Sequence, residues 1–375
     1  MDVIVMICIH GTKKHDDIIK KEYCAINGAI FSLLLSKKIN TLKKLVMNKL
    51  LYLLLLFVVG LSCTRNSEIE KYQTKRDNIV NVHEKVKEIE TGDVLIGSIA
   101  PIRMIDNYLL ILDVKSLDKL IRIFDKNHFN YVTSVAHKGQ GPGEIVNIAE
   151  LATNEVDGKF YVTDLGKLNI FSYDLDSVLA DPDKYMPGVK AKIGQKVFPD
   201  RYQYINDTFS IGRVIEVGKT DFSQTSAKWN MISGEITPMK YSNPDINKKR
   251  ITLATSIEHG VYVEAYNYHD LITVCSLDGE LKYNIYGPNW DKNRTKNYYH
   301  NQAIFCNNKI ITGYSGDEEY LYTYFLVFDI NGNYLKTLDV GYKIYDFCFD
   351  KKNNRIILSM DDVIQFGYLD LDGLI

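Results

Sequence analysis

The chain has almost no net charge, with 45 Lys and Arg against 47 Asp and Glu and a formal balance of −2. It has no basic field to hold a phosphate backbone, so nucleic acid is not an expected partner. Cysteine is scarce, and none of the six thiols forms a CxxC pair; a zinc site on thiolates is not expected. Apart from Cys63, which closes an export signal, Cys275, Cys306 and Cys348 remain in the main body, too few for a complete disulfide framework. All three lie in apolar runs and read as small core residues.

Catalytic signatures are also missing. There is no G-x-S-x-G elbow and no H-E-x-x-H. His83, His128, His137, His259, His269 and His300 are scattered singly. His259 and His269 stand beside Glu258 and Asp270 at turns, where such pairs read as solvated. The apolar runs at residues 29–35 and 50–59 are both shorter than the roughly 20 residues that span a bilayer.

What is present near the N-terminus is an export signal. Met47-Asn48-Lys49 is a short basic start, residues 50–59 an apolar run, and Gly60-Leu61-Ser62 a small-residue break before Cys63. This arrangement resembles the lipobox of bacterial lipoproteins, with Gly60 where a leucine is usual. The resemblance makes Cys63 the lipidated first residue of the mature protein, anchored to the outer membrane of a bacterial cell envelope. The alternative is an ordinary secretory signal with an incidental cysteine. Residues 1–46 are read as a start codon called too early or as a genuine extension, and residues 47–62 as the signal peptide. Residues 63–81 are polar, without apolar period, and are expected to be a flexible tether.

From residue 82 onward the pattern changes to short β-type runs between Asp, Asn and Gly turns. Six runs share one form, a turn followed by four or five β-formers. Their first apolar residues are Tyr108, Phe160, Phe209, Val261, Ile310 and Ile356, at intervals of 52, 49, 52, 49 and 46. Four-stranded propeller blades recur at about 40–50 residues. Hairpin turns recur too, at Asp125-Lys126-Asn127, Ser233-Gly234, Asp278-Gly279 and Asn331-Gly332. In the second repeat, residues 174–186 read instead as a short helical insertion outside the sheet. The third repeat is the weakest, interrupted by Gly212 and Gly218.

The ends complete the count. The last repeat supplies strands at residues 344–349, 355–360 and 363–370 and lacks a fourth, while residues 82–90 have no partner of their own. Pairing them would close the ring and remove both open edges. The expected fold is therefore all-β: a six-bladed β-propeller over residues 82–375, its last blade closed by an N-terminal strand.

The crossings between blades are the candidate functional loops: residues 137–144, 241–245, 287–290 and 340–343. In the first, Gly139, Gly141 and Gly143 around Pro142 form a backbone nest that could turn N–H groups toward an anion, with Lys138 adding charge and Glu144 closing the motif. The competing reading is architectural, because the chain must turn sharply there and glycine permits it; Gly287-Pro288 at an equivalent junction favours that reading. No GK[ST] follows, so the loop is not a P-loop. The second candidate is the aromatic and cationic stretch around Trp290, Tyr298, Tyr299 and His300, suited to stacking on a sugar or peptide, or else folded onto blade edges. Asp113 and Asp164, at corresponding ends of two second strands, read as a repeat feature.

Gly139-Gln140-Gly141-Pro142-Gly143-Glu144, placed after a strand and before an apolar run, resembles the signature of Bacteroidetes six-bladed, TolB-like β-propeller lipoproteins. Gly287-Pro288-Asn289-Trp290 and the Asp-x-x-Gly hairpins are similar to that family as well. The resemblance implies the fold and an envelope location and brings no catalytic residues with it. The expected function is that of a non-enzymatic, lipid-anchored binding module for a peptide, glycan or partner protein at the loop face, with no cofactor and no metal. The alternative is a propeller hydrolase or lactonase with a metal at the channel mouth.

Overall fold

The structure is a computed structural model that describes residues 67–291, 296–299, 302–316 and 319–375, with 32–33 and 36–37. Cys63, the rest of the export signal and His300 lie outside the described residues. The β-structure belongs to a single unit, Arg65–Ile375.

Six four-stranded antiparallel blades succeed one another along the chain. Blade 1 spans 102–137, blade 2 148–192, blade 3 197–238 and blade 4 251–286. Blades 5 and 6 share one long strand, Tyr334–Asp350, which is the outer strand of blade 5 and then the inner strand of blade 6. The expected crossing loop at residues 340–343 is therefore no loop at all. The chain turns within the strand at Gly341, whose φ of 74° a glycine adopts without strain.

The six periodic runs are the second strands: Tyr108–Leu112, Lys159–Asp164, Phe209–Val217, Val261–Tyr266, Lys309–Tyr314 and Arg355–Met360. A second strand packs against a neighbouring blade on each face, so both of its faces are apolar and the usual alternation is lost. Val261–Tyr266 and Arg355–Met360 are buried at every position. The core is accordingly divided into layers between blades. Leu110, Leu112 and Ile121 of blade 1 meet Leu151, Phe160 and Val162 of blade 2 in one layer. Ile102, Leu109 and Ile111 of blade 1 meet Cys348, Ile357 and Phe366 of blade 6 in another. The layer between blades 3 and 4 is the thinnest, with Ile211, Met239, Tyr262 and Cys275 at its centre. There a buried Glu264 accepts hydrogen bonds from Lys249 at 2.9 Å, Ser226 at 2.6 Å and Tyr266 at 2.8 Å. The repeat interrupted by glycines in sequence is the one whose interface leans on a polar network.

Closure follows the expected scheme in a shorter form. Lys87–Glu88 pairs antiparallel with Phe366–Asp370 as the outer strand of blade 6. The preceding His83–Lys85 forms a 3-10 turn, with Val82 buried in the layer between blades 5 and 6. The insertion of blade 2 is a helix at Leu175–Ala180, capped by the Asp174 side chain.

The tether differs from expectation. Glu70–Tyr72 adds a parallel strand to the outer edge of blade 4, and Ile79–Asn81 does the same on blade 5. Between them Arg76 reaches Asp270, with both side chains buried. A polar segment without apolar period docks here through backbone pairing and one buried ion pair, neither of which leaves a periodic signature in sequence.

Candidate functional site

An aspartate at the turn between second and third strands recurs in four blades and organises the crossing loops. The Asp164 carboxylate accepts from the N–H groups of Val146 at 2.9 Å and Asn147 at 2.8 Å, just before the inner strand of blade 2. Asp113 accepts from Gly97 and Asp270 from Asn289, each ahead of an inner strand, and Asp362 from Lys343 inside the long strand shared by blades 5 and 6. Side-chain oxygens thus take up N–H groups that sheet pairing leaves unsatisfied. Close approach of these carboxylates also accounts for the glycines: a Cβ on Gly287 would run into Asp270, and one on Gly97 would lie 3.1 Å from Asp113. The repeat reading of Asp113 and Asp164 is correct. Asp270, however, is buried and anchors Arg76 instead of lying in solvent.

The Gly139–Glu144 nest is filled by its own acid. Glu144 Oε2 accepts from the Gly141 N–H at 2.7 Å, and a Cβ on Gly139 would collide with that carboxylate. Lys167 Nζ donates to the carbonyls of Gly141 at 2.6 Å and Glu144 at 2.7 Å. Gly143, at a φ of 73°, packs beside Pro187. Lys138 turns away to the Ser116 carbonyl at 3.3 Å. The Gly141 N–H and the space beside Gly139 are thus taken up by the chain's own carboxylate.

In the aromatic stretch, two of the candidates belong to the core. Tyr298 and Tyr299 are 2% and 0% exposed, and the Tyr299 hydroxyl donates to Asp270 at 2.9 Å. Trp290 lies edge-on to Tyr286 at 4.8 Å and to Tyr72 of the docked N-terminal segment at 6.0 Å. Of the described candidates in this stretch, none is placed as an open stacking platform.

The open space lies on the axis. A cavity of about 540 Å³ is formed by the inner strands and by the turns that join first to second strands in blades 2, 4, 5 and 6. Those turns are at the opposite end of the inner strands from the crossing loops. Its mouth is mixed: Val156 is 95% and Ile257 56% exposed, with Ile205, Phe305 and Phe349 half-buried behind them, beside exposed Glu155, Asn307 and the Glu258–Lys351 ion pair at 3.2 Å. Its wall carries Gln203, Thr255 and Gln302 from three different blades.

At the inner end stand Arg103, Glu150 and Arg201. Arg103 donates to Glu150 Oε1 at 2.8 Å and to Asp346 Oδ2 at 2.9 Å, joining blades 1, 2 and 6. Burial alone would weaken the hold of this guanidinium on its proton; the facing Glu150 and Asp346 outweigh that and raise its pKa. Arg201 Nε lies 3.9 Å from Glu150 Oε2, and its side chain is 31% exposed. Among the described residues no three His, Cys, Asp or Glu side chains converge to hold a metal ion. The two carboxylates at this end are both engaged by Arg103. Sequence inspection of loops passed these residues over. Their signal is a lone charge inside an otherwise apolar first strand, as in Ile102-Arg103-Met104-Ile105 and Ile148-Ala149-Glu150-Leu151.

Residues 88–236 match the model of a family described as 6-bladed beta-propeller, DUF5128. The match begins at the end of the closing strand and runs through blades 1 and 2 to the start of the last strand of blade 3. Among solved structures, a DUF4221 family member from Bacteroides vulgatus is 11% identical with a TM-score of 0.52, covering 75% of this chain and 93% of that one. A Bacteroides fragilis protein described as exported is 12% identical with a TM-score of 0.49, covering 78% and 88%. At such identities the likeness is one of fold. No curated protein matches the chain.

Proposed function

We propose that the protein is a non-enzymatic binding module of the bacterial cell envelope, lipid-anchored through Cys63, that takes a segment of a peptide, glycan or partner protein into its axial cavity. The observation that carries the reading is the cavity itself: about 540 Å³, with a mouth where apolar Val156 and Ile257 stand beside the paired Glu258 and Lys351, neutral polar groups on its wall and ion-paired charges at its inner end. Pockets of a few hundred cubic ångströms with sparse, fixed polar groups are typical of small-ligand sites. Glu150 and Asp346 serve as partners of Arg103, which favours recognition over metal-assisted hydrolysis. The envelope location rests on the basic start, apolar run and cysteine of residues 47–63.

Two measurements test this. Capture from envelope extracts of the native host should succeed with the wild-type chain and fail with Gln203→Trp, which fills the lumen from an exposed position; equal capture by both would move the site off the axis. Incorporation of a fatty-acid label into the exported protein should be lost in Cys63→Ser. Unchanged labelling would remove the anchor from the proposal.

A further inference from the structure

We propose that the axial cavity receives the end of a neutral oligosaccharide, held by amide and hydroxyl side chains of four successive blades. The inference rests on the axial-cavity reading above and adds to it the chemical class of the ligand.

The lining carries charge of both signs in equal number. Its cations are Arg103, Arg201 and Lys351, and its anions Glu150, Glu155 and Glu258. Neither sign prevails to draw in a charged ligand. Most of these groups are engaged within the protein. Arg103 holds Glu150 and Asp346, Arg201 has a further interaction besides its contact to Glu150, and Lys351 pairs with Glu258 at the mouth. A charged ligand would have to break one of these pairs before it gained a partner of its own. Glu155 has no ion-pair partner among the described residues, but it stands exposed at the rim, where a single charge in water contributes little.

The groups left free are neutral. Thr153 of blade 2, Gln203 of blade 3, Thr255 of blade 4 and Asn307 of blade 5 line the same space. Their side chains have no hydrogen-bond partner among the described residues. Each of these amides and hydroxyls both donates and accepts. A sugar hydroxyl does the same, whereas a peptide backbone separates its donors from its acceptors and its free ends are charged. Half-buried Leu253, Phe305 and Phe349 line the cavity beside them. A sugar ring has a matching distribution, with hydroxyls around its circumference and C–H groups on its faces. The ion pairs of Arg103 with blades 2 and 6 stand across the inner end, so the ligand enters by the mouth and offers an end.

Calorimetric titration of the full chain tests this. The probes are neutral oligosaccharides of glucose, galactose, mannose, xylose and N-acetylglucosamine, uronate and sulfated oligosaccharides, and short peptides capped at both ends. The expected result is that one neutral series binds and that the charged saccharides bind at least about tenfold more weakly. Gln203→Leu and Thr255→Val, each of which leaves a bound hydroxyl without its partner, weaken that affinity by about fivefold or more. No binding of any neutral saccharide at millimolar concentration, equal or tighter binding of the charged ones, or an unchanged affinity in Gln203→Leu overturns the proposal. Should Thr255→Val fail to fold, Gln203→Leu, at an exposed position, decides alone. Gln203→Trp distinguishes the two levels. If a capped peptide binds in place of a saccharide and this variant blocks it, the cavity stands and only the saccharide falls. A saccharide bound equally by the wild type and Gln203→Trp removes the site from the axis and overturns both.

Discussion

The guanidinium of Arg76 lies 2.8 Å from the carboxylate of Asp270, 194 residues away in the chain, and neither side chain is more than 6% exposed. Tyr299 joins both, accepting from Arg76 at 3.0 Å and donating to Asp270 at 2.9 Å. The Arg76 guanidinium also lies over the rings of Tyr314 and Phe328 of blade 5. One side chain from the N-terminal segment thus ties blade 4 to blade 5, next to the two parallel strands laid on their edges. Removing one partner of a buried pair leaves the other charge without compensation.

Arg76→Met is accordingly expected to destabilise the chain by about 3–5 kcal/mol. Adding Asp270→Asn should recover part of the loss, because the buried charge disappears with its partner. Urea unfolding midpoints for the wild type, both single variants and the double variant measure the coupling. A wild-type midpoint for Arg76→Met would mean that the Arg76–Asp270 pair contributes nothing to the folded state.

Gly139 and Glu144 make a second coupled pair. An alanine at 139 places its Cβ against the Glu144 carboxylate that the Gly141 N–H holds. Gly139→Ala should therefore cost about 1–3 kcal/mol, the usual range for overpacking. Glu144→Ala should cost about 1–2 kcal/mol through the loss of its charge-assisted hydrogen bond. The double variant should be less damaged than the sum, since the collision exists only while the carboxylate is present. Strict additivity would show that the glycine serves backbone conformation alone.

The propeller was legible in sequence because its second strands are buried on both faces, which leaves runs such as Tyr108–Leu112 and Val261–Tyr266 continuous and evenly spaced. The closing strand was legible from an unpaired end. What sequence did not disclose is where loop side chains come to rest. Glu144 fills the Cβ space of a glycine five residues before it, and Tyr298 and Tyr299 carry polar hydroxyls yet are fully buried. The docking of Arg76 was hidden for another reason. Backbone pairing at a sheet edge asks little of the side chains, and one buried arginine has no period. The axial residues were visible in principle, as single charges in apolar first strands, but each charge has meaning only once a ring brings the strands together.

Acid should loosen the junction where blade 6 meets blade 1. There Asp350 lies between Lys126 at 3.1 Å and Arg355 at 3.1 Å. Burial by itself would raise its pKa. The hydrogen bond from Asn353 and the ion pairs with Lys126 and Arg355 outweigh it and hold the carboxyl below its ordinary value. A carboxyl whose folded pKa is depressed binds fewer protons folded than unfolded. Its contribution is fully present above the unfolded value of about 4 and is lost as pH falls through the lower folded value. Wild-type stability should thus decline below about pH 4, and Asp350→Asn, less stable at neutral pH, should show a shallower decline over the same interval because that proton uptake is gone. Urea midpoints measured from about pH 6 to about pH 3 give both curves. Parallel curves would mean that Asp350 is not held in its charged form by Lys126 and Arg355, and that this junction is kept by its other contacts, the Arg103–Asp346 pair and the packing of Ile102, Ile111, Ile357 and Phe366 among them.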